Sequence, residues 1–389
     1  MLDWRLFGLL FVAVALGYFF GRRSVTRDED DFSASFLEPH YIRGLNYFLN
    51  DQPDEAIDTF IGALDVNSET LETHLALGGL LRKRGEVGRA IKVHQNLLAR
   101  HGLPEIKSHQ IQLELSRDYI SSGLLDRAEV LLQELSEVAD DLIRKQCLSY
   151  LVEIYRDEKE WLKGIDVINR LSSRRFSRLP EEWRLRLNHF YCELAQTALD
   201  NADNLSCRKY VKHAMAADKN SIRASLILAK LESNQGNYRD AIKYLKQAPF
   251  QDPAFLPEVI PVLVSSYKQQ GNIKELKAYL EELLVSHHHA CVVLALAEIV
   301  VKEDGRQAAV EFIVRHIESI PTLATIKQML TLQLESSAQD KTLAMADLAI
   351  SNLQLTHPLY RCHSCGFGGK HLHWLCPSCK SWGTVKPTE

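Results

Sequence analysis

Apolar positions fall into three regimes along the chain. From Leu6 to Gly21 the run LFGLLFVAVALGYFFG carries no charge. As a helix it would span about 24 Å, slightly short of a hydrocarbon layer of roughly 30 Å. Leu2 and Trp4 lengthen it, and Trp4, Tyr18, Phe19 and Phe20 suit the two interfaces. From about residue 37 the pattern becomes helical and repeats itself. Gly44, Tyr47, Ala56, Phe60 and Ala63 are followed 34 residues later by Gly78, Leu81, Ala90, His94 and Leu97. Past Leu353 the helical pattern stops, and a short tail, Tyr360 to Val385, carries two closely spaced cysteine pairs.

The 34-residue period predicts two antiparallel helices per unit, with a small residue at their crossing and a turn glycine between them. The crossing position recurs as Ala90, Ala128, Gly164, Cys207, Ala241, Leu276 and Ala309, and the turn glycine as Gly85, Gly123, Gly236, Gly271 and Gly305. Pro253 and Pro321 fall where second helices stop. On these residues the chain resembles the tetratricopeptide repeat family over 37–321, about eight units, with capping helices over 322–353. Spacings of 38 between Ala90 and Ala128 and of 43 between Gly164 and Cys207 place insertions in the loops near Leu103 to Ser108 and Ser172 to Glu182. Such an array lines a groove with its first helices and binds an extended segment or helix of another protein. By repeat position, Tyr41, Phe48, Arg82, Lys83, Arg117 and Arg156 are the candidate partner-binding residues, a mixed aromatic and basic lining. The array is also compatible with a homo-oligomer.

Charge around the N-terminal run sets a topology. Arg22, Arg23 and Arg27 follow the apolar stretch, and no small-x-small cleavage site does, which favours an anchor over a cleaved signal. The positive-inside bias then predicts a single-pass transmembrane helix over 1–21, an external N-terminus and a cytoplasmic body. Residues 22–36, with Asp28-Glu29-Asp30-Asp31, read as a charged linker.

The tail, 354–389, holds the chain's recognisable site chemistry. Cys362 and Cys365 form one C-x-x-C and Cys376 and Cys379 a second, a spacing that points four thiolates at one tetrahedral ion, iron or zinc. A reducing compartment disfavours disulfides as the alternative. Gly366 and Pro377 suit the turns, and the tail resembles rubredoxin-type and zinc-ribbon knuckles. His363, His371 and His373 lie nearby but are surplus to a complete tetrahedron. At this length the ribbon needs the metal to fold, and the short connection from Asn352 to Leu359 predicts that it docks on the last helices.

Composition narrows the function classes. The formal net charge of -4 removes general attraction to phosphate backbones, so nucleic acid is not an expected partner. Cys147, Cys192, Cys207 and Cys291 share no spacing and read as buried structural residues. Nucleotide-binding, serine-hydrolase and metalloprotease motifs are missing from the sequence, so an enzyme is not expected. His287-His288-His289, three consecutive side chains near a helix end, do not face one ion.

The order of parts, an MLDW-type anchor, the repeats and a ribbon beginning Tyr360-Arg361-Cys362, resembles the lipopolysaccharide assembly protein B family of Gram-negative bacteria. That resemblance implies an inner-membrane regulator of lipopolysaccharide synthesis. Its partners would be a membrane-bound AAA+ protease, the committed-step deacetylase of lipid A synthesis, and other inner-membrane lipopolysaccharide proteins. It also implies metal ligation by Cys362, Cys365, Cys376 and Cys379. A generic envelope-assembly scaffold and a rubredoxin-like electron carrier are the alternative readings.

Overall fold

The computed structural model describes residues 71–172, 179–336 and 340–388, with positions 43, 44, 46, 47, 55 and 59. The expected anchor, the charged linker, Tyr41 and Phe48 lie outside the described residues. Among the described residues no helix is long and apolar enough to cross a membrane. The chain divides into two compact units, residues 1–144 and 145–389. The fold is an all-α tetratricopeptide solenoid with a small C-terminal ribbon.

In the first unit, α1 (Leu71–Lys83), α2 (Val87–Leu98), α3 (Glu105–Ser121) and α4 (Leu125–Val138) form two helical hairpins. Ala90 and Ala128 are fully buried at the expected crossings. Gly85 and Gly123 take φ of 85° and 76°, the left-handed conformation that closes α1 and α3. The Gly85 N–H donates to the Arg82 carbonyl and the Glu86 N–H to that of Leu81, so two otherwise orphaned carbonyls are satisfied.

The second unit begins within α5 (Asp141–Asp157) and contains α6 (Trp161–Ser172), α7 (Glu181–Asp200), α8 (Asn204–Ala217), α9 (Ile222–Asn234), α10 (Tyr238–Leu245) and the short α11 (Ala248–Gln251). A 3-10 turn (Pro253–Phe255) leads into α12 (Leu256–Gln270). There follow α13 (Ile273–Ser286), α14 (Ala290–Glu303), α15 (Arg306–Ile317), α16 (Leu323–Ser336) and α17 (Lys341–Thr356). The same closing motif ends α5, α7, α9 and α12, with the left-handed residue at Lys159, Ala202, Gly236 and Gly271. Two repeats therefore lack the turn glycine in sequence yet keep its geometry, at the strain a side chain suffers there. Cys207, Ala241, Leu276 and Ala309 are fully buried at their crossings. Gly164 is required: a Cβ there would lie 2.5 Å from Cε2 of Phe190.

One core runs through α7, α8 and α9, another through α9 to α14, and a third through α14 to α16. From α7 onward each repeat of the second unit buries its apolar face on the next, as a solenoid requires. The expected insertions differ in form. Glu105 to Ser108 and Glu181-Glu182 belong to α3 and α7, so the extra residues lengthen first helices rather than only their loops. Pro104 and Pro180 precede these helices, where a fixed φ is compatible with helix entry.

After α17 the chain forms a three-stranded antiparallel sheet of order β2-β1-β3, with β1 (Tyr360–Cys362), β2 (Gly368–Gly369) and β3 (Val385–Pro387). Its buried interior is Cys362, Cys376 and Val385, flanked by Tyr360, Phe367 and Cys379.

Candidate metal centre and its seat on the repeats

The two knuckles are built alike. In the first, the Gly366 N–H donates to the Cys362 carbonyl at 2.9 Å and the Cys362 N–H to that of Phe367 at 2.8 Å. In the second, the Lys380 N–H donates to the Cys376 carbonyl and the Cys376 N–H to that of Ser381, both at 2.9 Å. Gly366 and Lys380, each following a second cysteine, both adopt positive φ, 79° and 57°. The reversal turns each pair of thiols toward the same point.

All four Sγ atoms lie within 4.8 Å of one another, and the Cys362–Cys379 and Cys365–Cys376 separations are both 3.7 Å. A tetrahedral ion with metal–sulfur bonds of about 2.3 Å needs sulfur–sulfur edges of about 3.8 Å. The donor set therefore fits one four-thiolate ion, iron or zinc. Cys362 and Cys376 are buried, Cys379 is half-buried and Cys365 is exposed. Hydrogen bonds from the Ser381 hydroxyl and N–H hold the Cys379 thiol down at about 6, whereas burial pushes Cys376 up to about 11. Without a cation the buried thiol stays protonated; ligation supplies the charge that lets it ionise.

The ribbon docks, but not on the last helices as its short connection predicts. Lys370 does bond the Gln354 and His357 carbonyls at the end of α17. The main contacts, however, run back by more than a hundred residues. Tyr360 donates to Glu258 Oε1 at 2.6 Å, and Lys386 pairs with Asp252 at 2.7 Å. Trp374 stacks on Phe255 at 5.0 Å and Trp382 on His189 at 4.8 Å, both with interplanar angles of 14°. Trp382 also meets Phe190 and Trp161 edge-on. The Arg223 guanidinium lies over Trp374 and Trp382, at 5.4 and 6.0 Å, and donates to Glu193 at 2.8 Å. The physical reason is supply: aromatic and charged partners for the two tryptophans lie on α6, α7, α9 and the 3-10 turn, whereas α17 contributes no buried residue.

These holding residues have a common origin in the repeat. His189, Arg223 and Glu258 each stand 18 positions before a crossing residue, Cys207, Ala241 and Leu276 respectively. They are equivalent groove positions on α7, α9 and α12. Sequence reading by early repeats missed them, because its candidates stand 7 to 15 positions before a crossing residue and not 18. Burial, and then the Arg223 charge, push the His189 imidazole down to about 3, so it stacks as a neutral ring. Tyr360 is raised to about 12 by burial and by the Glu258 carboxylate that accepts its hydroxyl hydrogen.

The groove candidates from the early repeats are placed as follows. Arg82, with a 10% exposed side chain, bridges Glu114 and Asp118 at 2.6 Å each, and Asp118 also meets Nδ1 of the fully buried His94 at 2.5 Å. Burial opposes the charge on Glu114, but hydrogen bonds and charge from Arg82 and Arg117 outweigh it and hold the carboxyl below its ordinary range. Arg117 pairs with Glu114, Arg156 with Asp157, and Lys83 is exposed. Arg82 is thus committed within its own unit. His289 caps α14 by accepting from the Cys291 N–H. The Cys147 and Cys192 thiols are buried and pushed up to about 12 and 11, as inert core groups.

Fold and site together define a tetratricopeptide-repeat protein carrying a rubredoxin-type four-thiolate ribbon. Residues 360–387 match the family described as rubredoxin metal binding domain, and residues 73–105 match tetratricopeptide repeat. The chain is 35% identical to lipopolysaccharide assembly protein B of Escherichia coli strain K12, over 98% of this chain and 97% of that one. It is 30% identical to the protein of the same name in Haemophilus influenzae, over 99% and 98% of the two chains. The chain belongs to the lipopolysaccharide assembly protein B family. Among solved structures, a tetratricopeptide repeat protein from Parabacteroides merdae aligns over 69% of this chain and all of its own, at 15% identity and a TM-score of 0.35.

Proposed function

We propose that this chain is a membrane-anchored, non-enzymatic adaptor in lipopolysaccharide assembly. It brings the committed-step lipid A deacetylase to a membrane-bound AAA+ protease, so that surplus enzyme is degraded. The observation that carries the reading is family membership over nearly the whole chain. The structure supports it with a repeat array, suited to protein recognition, and a ribbon whose thiolates are committed to holding a metal rather than to turnover. In this account residues 1–21 span the inner membrane and the repeats lie on its cytoplasmic side. Confinement to the membrane plane raises the adaptor's effective concentration toward a membrane protease without added contact energy. Domain limits of 37–321 for the array, 322–353 for its cap and 354–389 for the ribbon belong to this proposal.

The test is the steady-state level of the deacetylase after depletion of this protein, in cells with and without the protease. Accumulation only where the protease is present supports the adaptor; equal accumulation in both backgrounds overturns it. A generic envelope scaffold would leave the deacetylase level unchanged.

A further inference from the structure

The ribbon occupies the groove position where a solenoid of this class takes a peptide, and it does so with a peptide's chemistry. Side chains of Tyr360, Trp374, Trp382 and Lys386 enter a row built from His189, Arg223, Phe255 and Glu258. Arg223 and His189 are only 5% and 8% exposed. Among the described residues, Nη1 of Arg223 and Nδ1 of His189 are buried without a hydrogen-bond partner. Covering these two atoms with rings instead of water carries a desolvation cost, which the guanidinium over two indole faces and the His189–Trp382 stack offset in part.

The second knuckle sets the two tryptophans. Leu375 and Trp382 form an isolated antiparallel bridge, the Gly383 N–H donates to the Trp374 carbonyl at 2.8 Å, and Cys376 and Cys379 lie in the turn between the rings. Opening that turn separates Trp374 from Trp382, and Arg223 then has no pair of rings to lie over. The ribbon's small interior offers nothing else to keep them together.

We propose that the groove position formed by His189, Arg223 and Glu258 is a recognition surface for an aromatic-bearing segment, held shut by the ribbon, and that metal binding and ribbon docking stabilise one another. Loss of the ion releases Trp374 and Trp382 and opens the row to a partner segment presenting aromatic and cationic side chains. By linkage the effect is reciprocal, so groove residues that never touch the metal set how tightly it is held. This stands apart from the adaptor reading, since it concerns metal affinity and a surface, not the identity of a client.

The experiment uses the full chain, stripped of metal, reloaded with zinc and titrated with a competing chelator. Arg223→Ala and Glu258→Gln are expected to raise the zinc dissociation constant about tenfold. Lys302→Ala, outside the ribbon contacts, is expected to leave it unchanged. Tyr360→Phe is the check on misfolding, because it removes the bond to Glu258 while leaving the repeats intact; it should weaken zinc retention in step with Glu258→Gln. A labelled peptide of residues 372–384 carrying Cys376→Ser and Cys379→Ser, so that it holds no zinc itself, should bind the stripped protein and be displaced by zinc. Unchanged zinc affinity in Arg223→Ala and Glu258→Gln, with helical content intact, would overturn the coupling. Peptide binding equal in the stripped and zinc-loaded protein would overturn the occluded surface.

Discussion

The later repeats and the ribbon seated on them are held together in opposite ways. The repeats bury an unbroken series of aliphatic side chains, with Leu263, Leu276, Leu280, Val292 and Val293 fully out of water in one core alone. The ribbon buries Cys362, Cys376 and Val385 and little else of its own. Each buried leucine contributes about 2 kcal/mol by removal from water, so the repeats are self-sufficient and the ribbon is not. It draws order from an ion at its centre, from aromatic rings on α6, α7 and the 3-10 turn, and from Arg223 of α9 and Glu258 of α12. The contrast teaches that the four thiolates and the docking face are two parts of one stabilising device.

Cys376→Ser breaks this contrast most severely. The variant should lose its bound metal and the folded ribbon while the helices of the repeats persist, read as metal content by mass spectrometry beside far-ultraviolet circular dichroism. Structural four-thiolate sites carry on the order of 10 kcal/mol of folding free energy, so partial retention is not expected. Trp382→Ala attacks the docking face instead. Loss of the His189 stack and of the Phe190 and Trp161 contacts should cost about 3 kcal/mol, visible as a lowered first transition in thermal unfolding.

Within the repeats, Gly164→Ala drives a methyl into Phe190 and should destabilise by about 2 kcal/mol. Gly88→Ala, with nothing within 4 Å, should not destabilise. Denaturant titration of the pair separates packing from helix propensity.

His189→Phe sharpens the role of pH. Below an ordinary histidine value of 6.5 the unfolded chain takes up a proton on this ring, whereas the folded protein resists until about 3. The stability is therefore complete above pH 6.5 and is lost as pH falls toward 3. Between pH 7 and 5.5 the wild type should lose about 1 kcal/mol more than the phenylalanine variant, which keeps the stack without the titration. The smallest effect is at the left-handed turns: Lys159→Gly or Ala202→Gly should stabilise by about 0.5–1 kcal/mol in denaturant melts.

Much of this architecture was legible in the sequence. Ala90, Ala128, Gly164, Cys207, Ala241, Leu276 and Ala309 announce the crossings because a fixed 34-residue geometry demands a residue that fits there. Cys362, Cys365, Cys376 and Cys379 announce their site because thiolate spacing is set by the knuckle itself. The seat of the ribbon was not legible from chain proximity. Contacts such as Tyr360–Glu258 and Lys386–Asp252 depend on how the repeats stack, which brings residues over a hundred positions apart to one face. Arg82 shows the converse: its repeat position faces the groove, yet Glu114 and Asp118 from the next hairpin claim its guanidinium, and no local pattern foretells that.

The central claim is that metal, ribbon and groove form one cooperative element. Hydrogen exchange on the full chain, metal-loaded against metal-stripped, addresses it directly. The account predicts that stripping removes protection from residues 360–387 and also from the stretches of α7 and α9 around His189 and Arg223, while α14 and α15 keep theirs. Loss of protection confined to the ribbon, with α7 and α9 unchanged, would contradict it.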